Sequence, residues 1–117
     1  MDYQPSYSAV NEVIEKANIK FGGQYRLNEE KATKLEAICE IIDQMIPEFD
    51  CEAYDVDIDD ITKHLTIGIE SFDLILHRGA SSQFFELINM VDAFRFSKQE
   101  DDVLRTEFYL NKMWERD

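Results

Sequence analysis

The sequence predicts an α+β fold, a two-layer body in which a mostly antiparallel sheet carries its helices on one face, in the order α-α-β-β-(β)-α-β-β. Three observations lead there. Between Asn28 and Pro47 the apolar side chains Leu35, Ile38, Cys39, Ile42, Met45 and Ile46 recur every three or four residues, the spacing of one helical stripe. From Tyr54 the period drops to two, with Tyr54, Val56 and Ile58 alternating with Asp55, Asp57 and Asp59. Finally, 117 residues of 44% hydrophobic content are enough to bury one core without staples.

The chain reads as a single domain, 1–117, with a helix and a Gly-Gly linker in 1–23 and the α+β core in 24–117. Residues 1–7 look frayed. From Ser8 to Lys20 a short stripe of Val10, Val13, Ile14 and Ala17 predicts the first helix. Gly22-Gly23 then breaks it, and no third glycine or Lys-Ser/Thr pair follows to make a phosphate loop. The pair reads as a linker that lets this helix swing onto the core, or onto another subunit. The main helix has both ends marked. Asn28 caps it, Glu29 and Glu30 suit the positive end of its dipole, and Pro47 stops it.

A hairpin follows. Placing both apolar sets on one face pairs Ile58 with Leu65, Val56 with Ile67 and Tyr54 with Ile69, around a loop from Asp60 to Lys63. That register sets Asp59 opposite His64. Phe72 to Arg78 reads as a third strand or a bent continuation of the second. Ser81 or Ser82 opens another helix through Phe84, Leu87, Ile88 and Val91, ending near Asp92. Phe94 and Phe96 begin a final hairpin, which turns at Ser97–Asp102 and returns through Leu104, Thr106, Phe108 and Leu110. Two helix-then-hairpin units in succession hint at a degenerate duplication. The order of elements, the small size and the acidity resemble those of the small dimeric chaperones of bacterial type III secretion. The likeness is architectural, with no residue motif behind it, and implies a homodimer that binds another protein.

A net charge of −13 argues against a broad nucleic-acid backbone surface, which draws its affinity from Lys and Arg, and against anionic lipid. It suits a very soluble protein or one with a basic partner. The two cysteines, Cys39 in the helical stripe and Cys51 beyond it, do not make a disulfide framework, so a reduced, cytoplasmic setting is expected. Met1-Asp2-Tyr3-Gln4-Pro5 has no basic region followed by an apolar one, so no signal peptide is expected. No apolar run reaches the roughly 20 residues of a membrane span.

The most unusual stretch runs from Asp43 to Glu70, where nine acids stand against one Lys63. Asp55, Asp57 and Asp59 would form a row on one strand face, spaced about 6.5–7 Å. A calcium loop fails where it is strict, with Asp60 in place of the turn glycine and Thr66 in place of the closing glutamate. Three readings remain: repulsion that deters stray edge pairing, docking of a basic partner, or mimicry of DNA phosphates. Asp59 and His64 form an acid–imidazole pair with no Ser or Cys nucleophile beside it. Two histidines far in sequence from either cysteine make no zinc set. No cofactor and no metal are expected, and a small enzyme ranks a distant third behind a protein-binding module and a DNA mimic. Among the aromatics, most are assigned to the core. Phe85, off the helical stripe, and Trp114 are candidate interface anchors, or else they fold back over the same core. The sequence therefore points to an acidic protein-binding module, chaperone- or adaptor-like, contacting its partner through Asp55, Asp57, Asp59, Phe85 and Trp114. A DNA mimic that inhibits a nucleic-acid-binding protein is the alternative.

Overall fold

The computed structural model describes residues 6–45, 51–71 and 81–116. The expected third strand from Phe72, the Pro47 stop and the first five residues lie outside them. Within them the chain is α+β, with helices α1 (Ser6–Phe21), α2 (Glu29–Met45) and α3 (Ser81–Met90). The strands are β1 (Tyr25–Leu27), β2 (Cys51–Ile58), β3 (Leu65–Ser71), β4 (Ala93–Lys98), β5 (Leu104–Leu110) and β6 (Trp114–Arg116). They form two antiparallel sheets, one of four strands ordered β2-β3-β5-β4 and a small one of β1 with β6.

Local chemistry explains the helix start at α2. Asn28 Oδ1 accepts the Lys31 N–H at 3.0 Å, and Asn28 O accepts Ala32 N–H at 3.0 Å, so the first turn has its partners. The first hairpin takes the register the alternation predicts: Tyr54 faces Ile69, Val56 faces Ile67 and Ile58 faces Leu65. A slip of one residue would turn Leu65, Ile67 and Ile69 to water, and all three are buried.

The core lies between the inner face of the large sheet and the three helices. Leu35, Ile38, Cys39 and Ile42 of α2 meet the β3 and β5 residues Ile67, Ile69, Phe108 and Leu110 there. Sheet and helices thus bury their single apolar faces against one another.

Two short strands were not expected. The Gly22-Gly23 stretch is a turn, closed by Gln24 N–H donating to Phe21 O at 3.1 Å, and it leads straight into β1. Gly22 is needed there, because a Cβ would collide with the Asn18 carbonyl oxygen. β1 then pairs with β6, Tyr25 opposite Arg116 and Leu27 opposite Trp114. Of the two places expected for the first helix, the core is the one α1 occupies: it buries Val10, Ile14, Ala17 and Phe21 there, and the β1–β6 ladder holds it in place.

Candidate functional site

The three aspartates singled out from the sequence lie, as the alternation implies, on the outer face of β2 and its turn, and all three are exposed. Their situations differ. Asp55 is held by Arg105, whose Nη1 and Nη2 donate to Asp55 Oδ2 and Oδ1 at 2.8 and 2.9 Å. Arg105 belongs to β5, two strands away, and its guanidinium reaches Asp55 by lying over Gly68 of β3. Asp59 closes its own turn, its Oδ1 accepting the Ile61 and Thr62 N–H groups at 2.9 and 2.7 Å. Those two bonds, Thr62 foremost, hold its carboxyl below the usual range. Asp57 alone of the three has no hydrogen bond or ion pair within the described residues.

Arg105 is also the centre of a wider network. Its Nε donates to Glu107 Oε2 at 3.1 Å, while Arg95 Nη2 and the Tyr109 hydroxyl donate to Glu107 Oε1 at 2.5 and 2.9 Å. Burial resists ionisation of Glu107, but the bonds from Tyr109, Arg105 and Arg95 outweigh it and its pKa is lowered. Arg105 is raised in turn, mainly by its bond to Asp55. Such a closed set stiffens the outer face of the sheet and leaves few free charges on it. Of the three carboxylates in the row, Arg105 thus neutralises Asp55, while Asp59 accepts only from neutral amides and keeps its charge.

Asp59 and His64 do face one another, with Asp59 N–H donating to His64 O at 3.0 Å. Their side chains are engaged elsewhere. His64 Nδ1 accepts the Lys112 N–H at 3.0 Å, and the Asp59 carboxylate serves the turn. No group of His, Cys, Asp and Glu among the described residues could hold a metal ion. A hollow of about 490 Å³ is lined by Phe21, Gly23, Gln24, Tyr25 and Lys63 with the Lys20–Asp60 pair. Lys63 fills its aromatic side, with Nζ 4.4 Å from the Phe21 ring and 4.7 Å from Tyr25.

The two aromatic candidates part company. Trp114 is 3% exposed, and of its two readings the fold back over the same core is the one its packing fits. Its ring meets Phe21 edge-on at 5.5 Å and its Nε1–H donates to Asn18 Oδ1 at 2.7 Å. It folds back over the core because β6 pairs with β1 and turns it inward. Phe85 is 58% exposed, and the structure adds two neighbours that the sequence assigned to the core, Phe94 at 42% and Phe96 at 40%. Both lie on the inner face of β4, which is the last strand of the sheet among the described residues, so no described strand lies beside their outer sides. Phe84, which is buried, stands 5.6 Å from Phe94, 5.5 Å from Phe96 and 6.4 Å from Phe85, and so ties the patch to the core.

The backbone of β4 is open as well. Gln99 N–H donates to Val103 O at 2.7 Å just beyond the Lys98–Leu104 pair. By antiparallel alternation the N–H and C=O groups of Lys98, Phe96 and Phe94 therefore point away from β5, toward the free edge. The patch thus combines half-exposed phenylalanines with a row of main-chain donors and acceptors that no strand among the described residues takes up. Of these residues the sequence had marked Phe85 alone, because nothing in an alternating pattern says which strand ends a sheet.

Comparison with protein-family models, with curated proteins and with solved structures finds no match to this chain.

Proposed function

We propose that this chain is an acidic protein-binding module, chaperone- or adaptor-like, that engages its partner at the open edge of β4 and the adjoining Phe85, Phe94 and Phe96. One observation carries the reading: three large apolar side chains stand half in water beside a strand edge that no other strand among the described residues pairs with. Exposed aromatic residues on a rigid support are the usual anchors of protein contacts, and an open edge supplies main-chain hydrogen bonds to an incoming strand. The acidic face of β2 supports this reading less, since Arg105 and the Asp59 turn engage two of its three aspartates. The neutralisation of Asp55 by Arg105 weighs against the DNA-mimic alternative.

Affinity capture from the source cell tests the proposal. A Phe85→Ser/Phe94→Thr/Phe96→Thr variant with an unchanged far-UV spectrum should lose the proteins retained by the parent chain. An Asp57→Lys variant should keep them. Identical captured sets for the parent and the triple variant would remove the proposal; loss with Asp57→Lys instead would return the role to the acidic face.

A further inference from the structure

We infer that the occupant of the β4 edge is an extended segment of another protein, apolar on one side and acidic on the other, added as a further strand. This rests on the reading of that edge as a docking site and names the chemistry of what docks. Two features select it. The first is charge. In a chain of net charge −13, β4 carries Arg95 and Lys98 and no acid. Arg95 bonds Glu107 at 2.5 Å on the outer face, yet its side chain remains 63% exposed, leaving room for a second carboxylate. Lys98, on the inner face at the end of the strand, has no ion pair among the described residues. Residues directly opposite one another in a sheet share a face. A segment on this edge therefore meets Phe94 and Phe96 with its inward side chains and Arg95 with an outward one, while Lys98 accepts an acid at its end. Alternating aliphatic and acidic residues satisfy Phe94, Phe96 and Arg95, and the acid for Lys98 takes the place of the aliphatic residue at the end of the segment.

The second feature is area. A stable homodimer buries roughly 800 Å² on each partner. At about 200 Å² for a whole phenylalanine, the exposed parts of Phe85, Phe94 and Phe96 amount to roughly 300 Å². The edge beside them is six residues long, or about 20 Å. That is the size of one strand and falls short of a second copy. A second copy would also offer Arg95 and Lys98 no carboxylate, since its own β4 carries no acid.

The probes are two fluorescein-labelled octapeptides, four Val-Asp repeats and four Val-Lys repeats, titrated by fluorescence polarisation with amide shifts followed by NMR. The Val-Asp peptide should bind roughly fivefold more tightly than the Val-Lys peptide, because the first attracts and the second repels the outward Arg95. It should shift the amides of residues 93–98, and an Arg95→Gln/Lys98→Gln variant of unchanged amide dispersion should lose the preference. Equal or tighter binding of the Val-Lys peptide overturns the acidic chemistry while leaving the edge a docking site. A doubled mass by light scattering, reversed by Phe96→Glu, makes a second copy the occupant and overturns the inference alone. Binding of neither peptide by a monomer, with residues 93–98 unshifted, overturns the strand-addition mode. The underlying reading then falls only if the triple phenylalanine variant also captures the parent's proteins.

Discussion

A Cβ on Gly68 would land in the guanidinium of Arg105, 2.5 Å from its Cζ, so that position holds no side chain because another residue's side chain occupies the space. Gly68→Ala should therefore displace the guanidinium and break its paired contact with Asp55. With Asp55 47% exposed, solvent screens much of that pair, and a loss of about 1 kcal/mol is expected from urea midpoints at constant slope. The sign should reverse when Arg105 is absent. In an Arg105→Ala background Gly68→Ala meets no obstacle, and its reduced unfolded-state freedom should add about 0.5 kcal/mol. A double-mutant cycle reads both values; additive substitutions would mean that the guanidinium does not rest over Gly68. Nothing in the local sequence around Gly68 announces this contact, since Arg105 lies two strands away and far along the chain. The glycine looks like an ordinary interruption of an Ile-rich strand.

At the scale of elements, the β1–β6 ladder was hidden and the first hairpin was plain, for the same reason. Strands of seven and eight residues show their period, so Tyr54, Val56 and Ile58 could be aligned with Ile69, Ile67 and Leu65 from pattern alone. Three-residue strands such as Tyr25–Leu27 and Trp114–Arg116 repeat nothing, and each exists only because the other pairs with it. Asn28 N–H donates to Met113 O at 2.8 Å, and Met113 N–H donates to Lys63 O at 3.0 Å, so the ladder also ties α2 to the β2–β3 turn. Trp114→Ala should cost about 3–5 kcal/mol, a large share of what a domain of this size possesses, and should loosen α1 through Phe21. Trp114→Phe keeps most of the packing and loses the bond to Asn18. It should cost about 1 kcal/mol, and Asn18→Ala should then add little. Amide exchange that accelerates in residues 10–21 as fast as in 114–116 would show the coupling; unchanged protection of α1 in Trp114→Ala would refute it.

For the whole molecule, charge sets the dependence on pH. The carboxyls of Asp59, Asp92 and Glu107 are all held below their usual range. For Asp92 burial opposes ionisation, and the bonds from Lys31 Nζ and Asn111 N–H, at 2.6 and 2.7 Å, overcome it. A carboxyl whose folded value is depressed adds stability above its unfolded value and loses it as pH falls through the folded one. The surplus of acids acts in the opposite direction, because mild acid relieves self-repulsion. The melting temperature should therefore rise slightly from pH 7 to about pH 5 and fall below about pH 4. Glu107→Gln should flatten part of that acid fall, at a cost near neutral pH; a parallel fall in parent and variant would mean that Glu107 plays no part in it. The fold class and the first hairpin's register were thus legible in hydrophobic period, which is a local signal. The docking patch was not. Phe94 and Phe96 follow the same alternation as buried residues, and only the strand order β2-β3-β5-β4 leaves them at an edge.

The molecule's one tryptophan has its indole wedged between Asn18 and Phe21 at the small sheet. Its intrinsic emission is consequently a built-in reporter of that clasp, quite apart from the docking edge. A red shift that precedes the loss of helical ellipticity during heating would time the release of α1 separately from the melting of the large sheet, and a partner seated on β4 should leave the emission wavelength where it was.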